Sequence, residues 1–94
     1  MSGVARIKGK RTGITFVTRD ATGEPTFVPY RESTADLSMQ EAHVPAGAGK
    51  VRFAVVCSTS MLPAVRGATD KFLAALEKAK GALVVDLNVR AHLW

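Results

Sequence analysis

The chain has one cysteine, two histidines, one tryptophan and one tyrosine in 94 residues, and each scarcity removes a class of protein. Cys57 alone can close no disulfide within one copy. With only His43 and His92 beside it, the paired Cys and His spacing of a structural zinc site is missing too, so no metal and no cofactor is expected. No stretch approaches the ~20 apolar residues of a membrane helix. The first residues lack an apolar run of signal-peptide type, which makes the cytoplasm the expected compartment and a membrane no expected partner.

Acidic residues are missing from the first nineteen positions, which carry Arg6, Lys8, Lys10, Arg11 and Arg19. Over the whole chain 13 Lys and Arg face 8 Asp and Glu, a net charge of +5. The surplus therefore lies wholly in the N-terminal fifth, and the rest balances at zero. Apolar residues at 47 % and charged ones at 22 % are the balance of a folded chain and exclude disorder. The length predicts one small α+β domain over 1–94 with a basic N-terminal hairpin over 4–19.

Val4 to Lys8 and Ile14 to Arg19 read as strands around the turn Gly9 to Gly13, and Thr26 to Arg31 as an edge strand flanked by Pro25 and containing Pro29. Alternation of Ala35, Leu37 and Met39 with polar residues suggests another strand over 34–41, and 44–49 a flexible loop. Val51 to Val56 reads as a buried strand. From Met61 apolar residues recur at steps of three and four, predicting a helix over about 61–80 that Ser60 or Thr69 caps and Lys78, Lys80 and Gly81 end. Beyond Gly81, Leu83, Val85, Leu87, Val89, Ala91 and Leu93 alternate as the core face of a long strand. The expected architecture is a mixed, mainly antiparallel sheet of five or six strands, one long helix on one face, and a C-terminal strand–helix–strand unit. The uncovered face would carry Arg52, Ala54, Val56, Asp86, Asn88, Arg90, His92 and Trp94.

Five cations within nineteen residues, bounded by glycines, suit sequence-independent contact with phosphates of DNA or RNA. Arg52 and Arg90 would extend that contact over the open sheet face, with Phe16 and Tyr30 as stacking platforms for bases. The bland reading of the same residues is a solubilised edge. Leu87, Val89 and Trp94 are the expected interface of a homo-oligomer. Cys57-Ser58-Thr59-Ser60 lies between a strand and a helix start, where anions bind and thiols acidify, yet a C-x5-R phosphatase loop would need arginine where Pro63 stands. A Cys57-based activity is thus a minor alternative to a strand-ending cysteine with capping hydroxyls. Ala46 to Lys50 lacks the full phosphate-loop pattern. The composite expectation is a non-enzymatic nucleic-acid-binding protein, the alternative a structural or accessory protein-interaction subunit.

Overall fold

Alternating β-branched and aromatic residues in Ile14–Arg19 (β1) and Pro25–Tyr30 (β2) form an antiparallel hairpin in which Ile14 faces Tyr30 and Arg19 faces Pro25. Its five-residue turn is organised by Asp20, whose Oδ1 accepts from Thr22 N at 2.8 Å, Thr22 Oγ1 at 2.7 Å and Glu24 N at 3.0 Å. Gly23 takes the positive φ, 89°, that the turn requires. The structure is a computed structural model, and it describes residues 3–89.

The chain forms two compact units, one comprising Arg6–Ser38 and the other the remainder. The first holds the hairpin and a loop tied by side chains: Thr34, fully buried, donates its hydroxyl to Arg31 O at 2.9 Å, and Ser38 Oγ donates to Thr34 O at 2.8 Å. Ala35 N donates to Arg11 O at 2.9 Å. These local bonds curl the segment into a 3-10 turn at Asp36–Ser38, where the apolar alternation had suggested a strand.

In the second unit, Phe53–Cys57 (β3) and Ala82–Asp86 (β4) pair in parallel, with Cys57 opposite Asp86. Between them run a 3-10 helix, Ser58–Met61, and the α-helix Arg66–Lys78 (α1). The helix starts later than expected. Thr69 lies inside it, buried, and gives its hydroxyl to Ser60 O at 2.6 Å instead of capping the start. The segment expected as a flexible loop contains a 3-10 helix, Ala46–Lys50, that buries Ala48 and neighbours α1. Ala48, Ala54, Val56, Leu62, Val65, Ala68 and Leu76 are this unit's buried apolar side chains.

Among the described residues the expected five- or six-stranded sheet is therefore corrected to two sheets of two strands each and one α-helix. Val4 to Lys8 forms no strand, and the hairpin is made by 14–30 and not by 4–19. The faces of β3 are also the reverse of the expectation: Ala54 and Val56 are buried while Phe53 and Val55 are 69 % and 67 % exposed. The regular strand at the end stops at Asp86, and Leu83, Val85, Leu87 and Val89 are exposed instead of forming a core face. Among the described residues no helix is long and apolar enough to cross a membrane.

Candidate functional site

Carboxyl ends of parallel strands are where open α/β sheets place ligands, because the connecting loops diverge there and leave unpaired main-chain groups. At that edge β3 ends in Cys57 and β4 in Asp86. Ser58 Oγ donates to Asn88 O at 2.7 Å, which braces the segment after β4 against the end of β3. Asp86 Oδ1 accepts from Asn88 N at 3.1 Å. Among the described residues Asp86 Oδ2 and the Asn88 side-chain amide have no partner, so an acceptor and a mixed donor–acceptor group remain for a polar ligand.

Cys57 is half-buried, with Thr59 Oγ1 at 2.8 Å and Ser60 Oγ at 3.7 Å from its sulfur. The Thr59 hydroxyl holds the thiol below its ordinary value of 9.0, against the opposing effect of burial. The residue occupies the capping position of the Ser58–Met61 turn without a side-chain cap.

A second polar cluster lies within the Arg6–Ser38 unit. Arg31 Nε donates to Asp36 Oδ2 at 3.0 Å, and Nη2 closes on the same oxygen. Burial works against ionisation of Asp36, but the polar neighbourhood of Thr34, the hydrogen bonds from Arg31 and the Arg31 charge hold its carboxyl below the ordinary 3.8. A cleft of about 420 Å³ opens beside the pair, lined by Thr12, Gly13, Thr15, Arg31, Ala35 and Asp36.

Of the residues singled out from sequence, Arg6, Lys8, Lys10, Arg11, Arg19, Phe16 and Tyr30 lie in one unit and Arg52 in the other. Arg6, Lys8 and Lys10 are exposed, and Gly9 at φ 76° turns the chain between them. Arg11 is engaged with its own unit, Nη2 donating to Glu32 O at 3.4 Å. Arg19 Nη1 donates to Gly23 O at 2.7 Å and so belongs to the β1–β2 turn. Arg52 is exposed on the other unit, ahead of β3. Phe16 and Tyr30 are 60 % and 59 % exposed and pack edge to face at 5.7 Å, so each uses ring surface on the other. Leu87 and Val89 are exposed, and Arg90 and Trp94 lie outside the described residues. Sequence reasoning passed over Arg31 and Asp36; their signal is an arginine and an aspartate five apart around a Ser-Thr pair, a pattern shared with ordinary turns. Among the described residues no three His, Cys, Asp or Glu side chains are grouped to hold a metal ion.

Comparison with known proteins overturns the functional expectation. The pattern of the pfkB family carbohydrate kinases matches residues 1–94. Fructokinase-2 of Solanum lycopersicum and that of Solanum habrochaites are each 32 % identical over 91 residues, 93 % of this chain and 27 % of theirs. The crystal structure of fructokinase from Xylella fastidiosa superposes with a TM-score of 0.81 at 32 % identity, over 98 % of this chain and 30 % of that one. A second, of fructokinase with bound ATP from the same organism, gives 0.78 at 31 %, over 95 % and 28 %. The chain thus spans about a quarter of the length of the curated relatives it matches. Neither DNA or RNA as partner nor a non-enzymatic role survives this match. Matched along its whole length, the chain belongs to the pfkB family of carbohydrate kinases.

Proposed function

We propose that the chain is part of an ATP-dependent sugar kinase, and that fructose is the acceptor. The similarity to fructokinase over nearly the whole chain, at 32 % identity and a TM-score of 0.81, carries this reading. The bound ATP of the second Xylella fastidiosa structure supports ATP as the donor.

Phosphoryl transfer leaves a protein little covalent work; it must position the acceptor hydroxyl, neutralise the transferring phosphoryl group and exclude water. The carboxyl ends of β3 and β4 suit the first task. Asp86 Oδ2 accepts from a sugar hydroxyl, the Asn88 amide gives and accepts at a neighbouring one, and Ser58 keeps the Asn88 main chain in place. Losing the Asp86 carboxylate removes a charge-assisted hydrogen bond and raises the sugar KM roughly tenfold. Among the described residues no glycine-rich loop leads from a strand into a helix; Ala46–Lys50 is itself a 3-10 helix ahead of β3. Contacts to the donor phosphates are accordingly assigned to no residue of this chain.

The test is a chimera. Residues 1–94 replace the matching segment of the Xylella fastidiosa fructokinase, and ADP release is followed with fructose as acceptor. Turnover that depends on both ATP and fructose is the expected result. A chimera that unfolds cooperatively yet phosphorylates neither fructose nor another hexose overturns the reading.

A further inference from the structure

His43 holds a main-chain N–H with a ring that can itself take a proton. Gln40 N donates to His43 Nδ1 at 2.9 Å, and His43 N donates back to Gln40 O at 2.9 Å. Two reciprocal bonds thus close the 3-10 turn Glu41–His43 onto the residue before it. An imidazole nitrogen accepts only when it carries no hydrogen. The bond therefore selects the neutral ring with its hydrogen on Nε2. Protonation places a second N–H where the acceptor was, so two donors face each other and this bond is lost.

The same turn bears on the start of α1. Glu41 O accepts from Val44 N at 3.2 Å and from Lys71 Nζ of α1 at 3.0 Å, so one carbonyl both closes the turn and ties it to the helix. The Glu41 side chain lies over bare backbone: a Cβ on Gly67 would stand 3.7 Å from Glu41 Cγ and 3.5 Å from Oε1. Turn and helix belong to one unit and border a cleft of about 370 Å³, with Met39 to Ala42 on one side and Ala64, Gly67 and Ala68 on the other. The charged groups of this surrounding are Glu41 on the turn itself and, in the first two turns of α1, Lys71 and the Arg66–Asp70 pair at 2.8 Å. Lys50 ends the other 3-10 helix that packs on α1.

We propose that His43 is a proton-operated latch: the neutral imidazole holds the turn 40–43 closed beside α1, and the imidazolium releases Gln40 and lets the turn open the cleft. Histidine is the side chain whose charge ordinarily changes between about pH 5 and 8. Carboxyl groups ordinarily ionise at about pH 4, so mild acid reaches the latch before it reaches the acids around it. The latch depends only on the turn and α1, and it holds whichever reaction the chain serves.

The full 94-residue chain, ¹⁵N-labelled, is followed by NMR from neutral pH down to about pH 5.5. Protection of the Gln40 amide against hydrogen exchange, corrected for the ordinary pH dependence of exchange, is expected to fall about fivefold, the worth of one hydrogen bond. The fall should coincide with titration of the His43 ring nitrogens, and the Gly67 and Ala68 amides across the cleft should shift with the same midpoint. His43→Asn sets an amide oxygen where Nδ1 stood and does not titrate in this range, so its Gln40 amide is expected to stay protected throughout. His43→Leu offers no acceptor and should be as open at neutral pH as the wild type is in acid. A wild type that loses no protection, an equal loss in His43→Asn, or a loss that follows the His92 ring overturns the proposal. Gly67 and Ala68 amides indifferent to a transition seen at Gln40 overturn the opening of the cleft. Should His43→Asn be open at both ends of the range, or either variant fail to fold, the wild type alone decides: the Gln40 transition coincides with the His43 ring titration, or the latch does not exist.

Discussion

Gly81 lies against Leu76, donating its main-chain N–H to Leu76 O at 2.9 Å, and a Cβ built on Gly81 overlaps the Leu76 side chain, with Cγ at 3.0 Å. Leu76 is 2 % exposed. On the other side the same Cβ meets Val51 O at 3.2 Å, which is main chain at the approach to β3. Gly81→Ala is therefore an overpacking substitution, expected to cost about 1–3 kcal/mol. The urea midpoint of the variant against the wild type measures it, and an unchanged midpoint refutes the packing argument.

The neighbouring residue carries the opposite opportunity. Helix α1 ends with Gly81 N bonded to Leu76 O and Lys80 N bonded to Glu77 O at 2.8 Å, the paired bonds of a Schellman motif. In that motif the residue after the cap takes a left-handed conformation, and here it is Lys80, at φ 55°, and not a glycine. A side chain in this conformation costs roughly 1–2 kcal/mol. Lys80→Gly is thus expected to raise stability by up to about 1 kcal/mol once the greater freedom of glycine in the unfolded chain is subtracted. Thermal unfolding of the two proteins at neutral pH reads the difference.

These two residues also show how far the sequence alone reaches. Gly81 as a helix end is legible, since glycine after a basic stretch is a stop signal, but the division of labour between Lys80 and Gly81 depends on Leu76 behind them. The hairpin arm Ile14–Arg19 is equally legible from its alternation. Val4 to Lys8 carries a similar pattern and forms no strand, because alternation states which face a strand would bury and not whether a partner exists. Over 34–41 the pattern was outweighed by Thr34 and Ser38, whose hydroxyls satisfy main-chain carbonyls locally and turn the backbone. The β3 faces were reversed because six consecutive mostly apolar residues do not say which side is covered. Charge misled the functional reading for a related reason. Arg11 and Arg19 are occupied by main-chain carbonyls of their own unit, whereas the pair with a cleft beside it, Arg31 and Asp36, contributes nothing to net charge and is invisible to that arithmetic.

Asp36 makes stability depend on pH in one direction. Its carboxyl is held below the ordinary 3.8 in the folded chain, so the ionised form is favoured by folding. The contribution is fully present above the ordinary carboxylate value and is lost as pH falls through the lower folded value. Both partners of the ion pair are partly exposed, and solvent screens the effect. Asp20, hydrogen-bonded by Thr22 at the hairpin turn, is shifted the same way, so the whole protein loses stability on acidification for more than one reason. The clean comparison is Asp36→Asn against wild type in urea titrations from neutral pH down to about pH 3. The gap between the two should narrow at the acidic end, and a constant gap rules out the linkage.

Cys57 offers a chemical readout at the edge where β3 ends. The Thr59 hydroxyl, 2.8 Å from its sulfur, stabilises the thiolate more than partial burial opposes it, and the thiol is more acidic than an ordinary cysteine. Thr59→Val keeps the β-branched shape and removes the donor. The thiol then returns toward its ordinary value, the thiolate fraction at neutral pH falls, and alkylation by iodoacetamide slows by about two- to tenfold. Ser60, at 3.7 Å, is a weaker partner, so Ser60→Ala should slow the reaction less. The order of the three rates, wild type fastest and Thr59→Val slowest, follows from the two distances. Should Ser60→Ala prove the slower variant, the two distances do not rank the hydroxyls; should neither variant slow the reaction, the acidity of Cys57 comes from the main-chain amides of the turn and the hydroxyl geometry is not its cause.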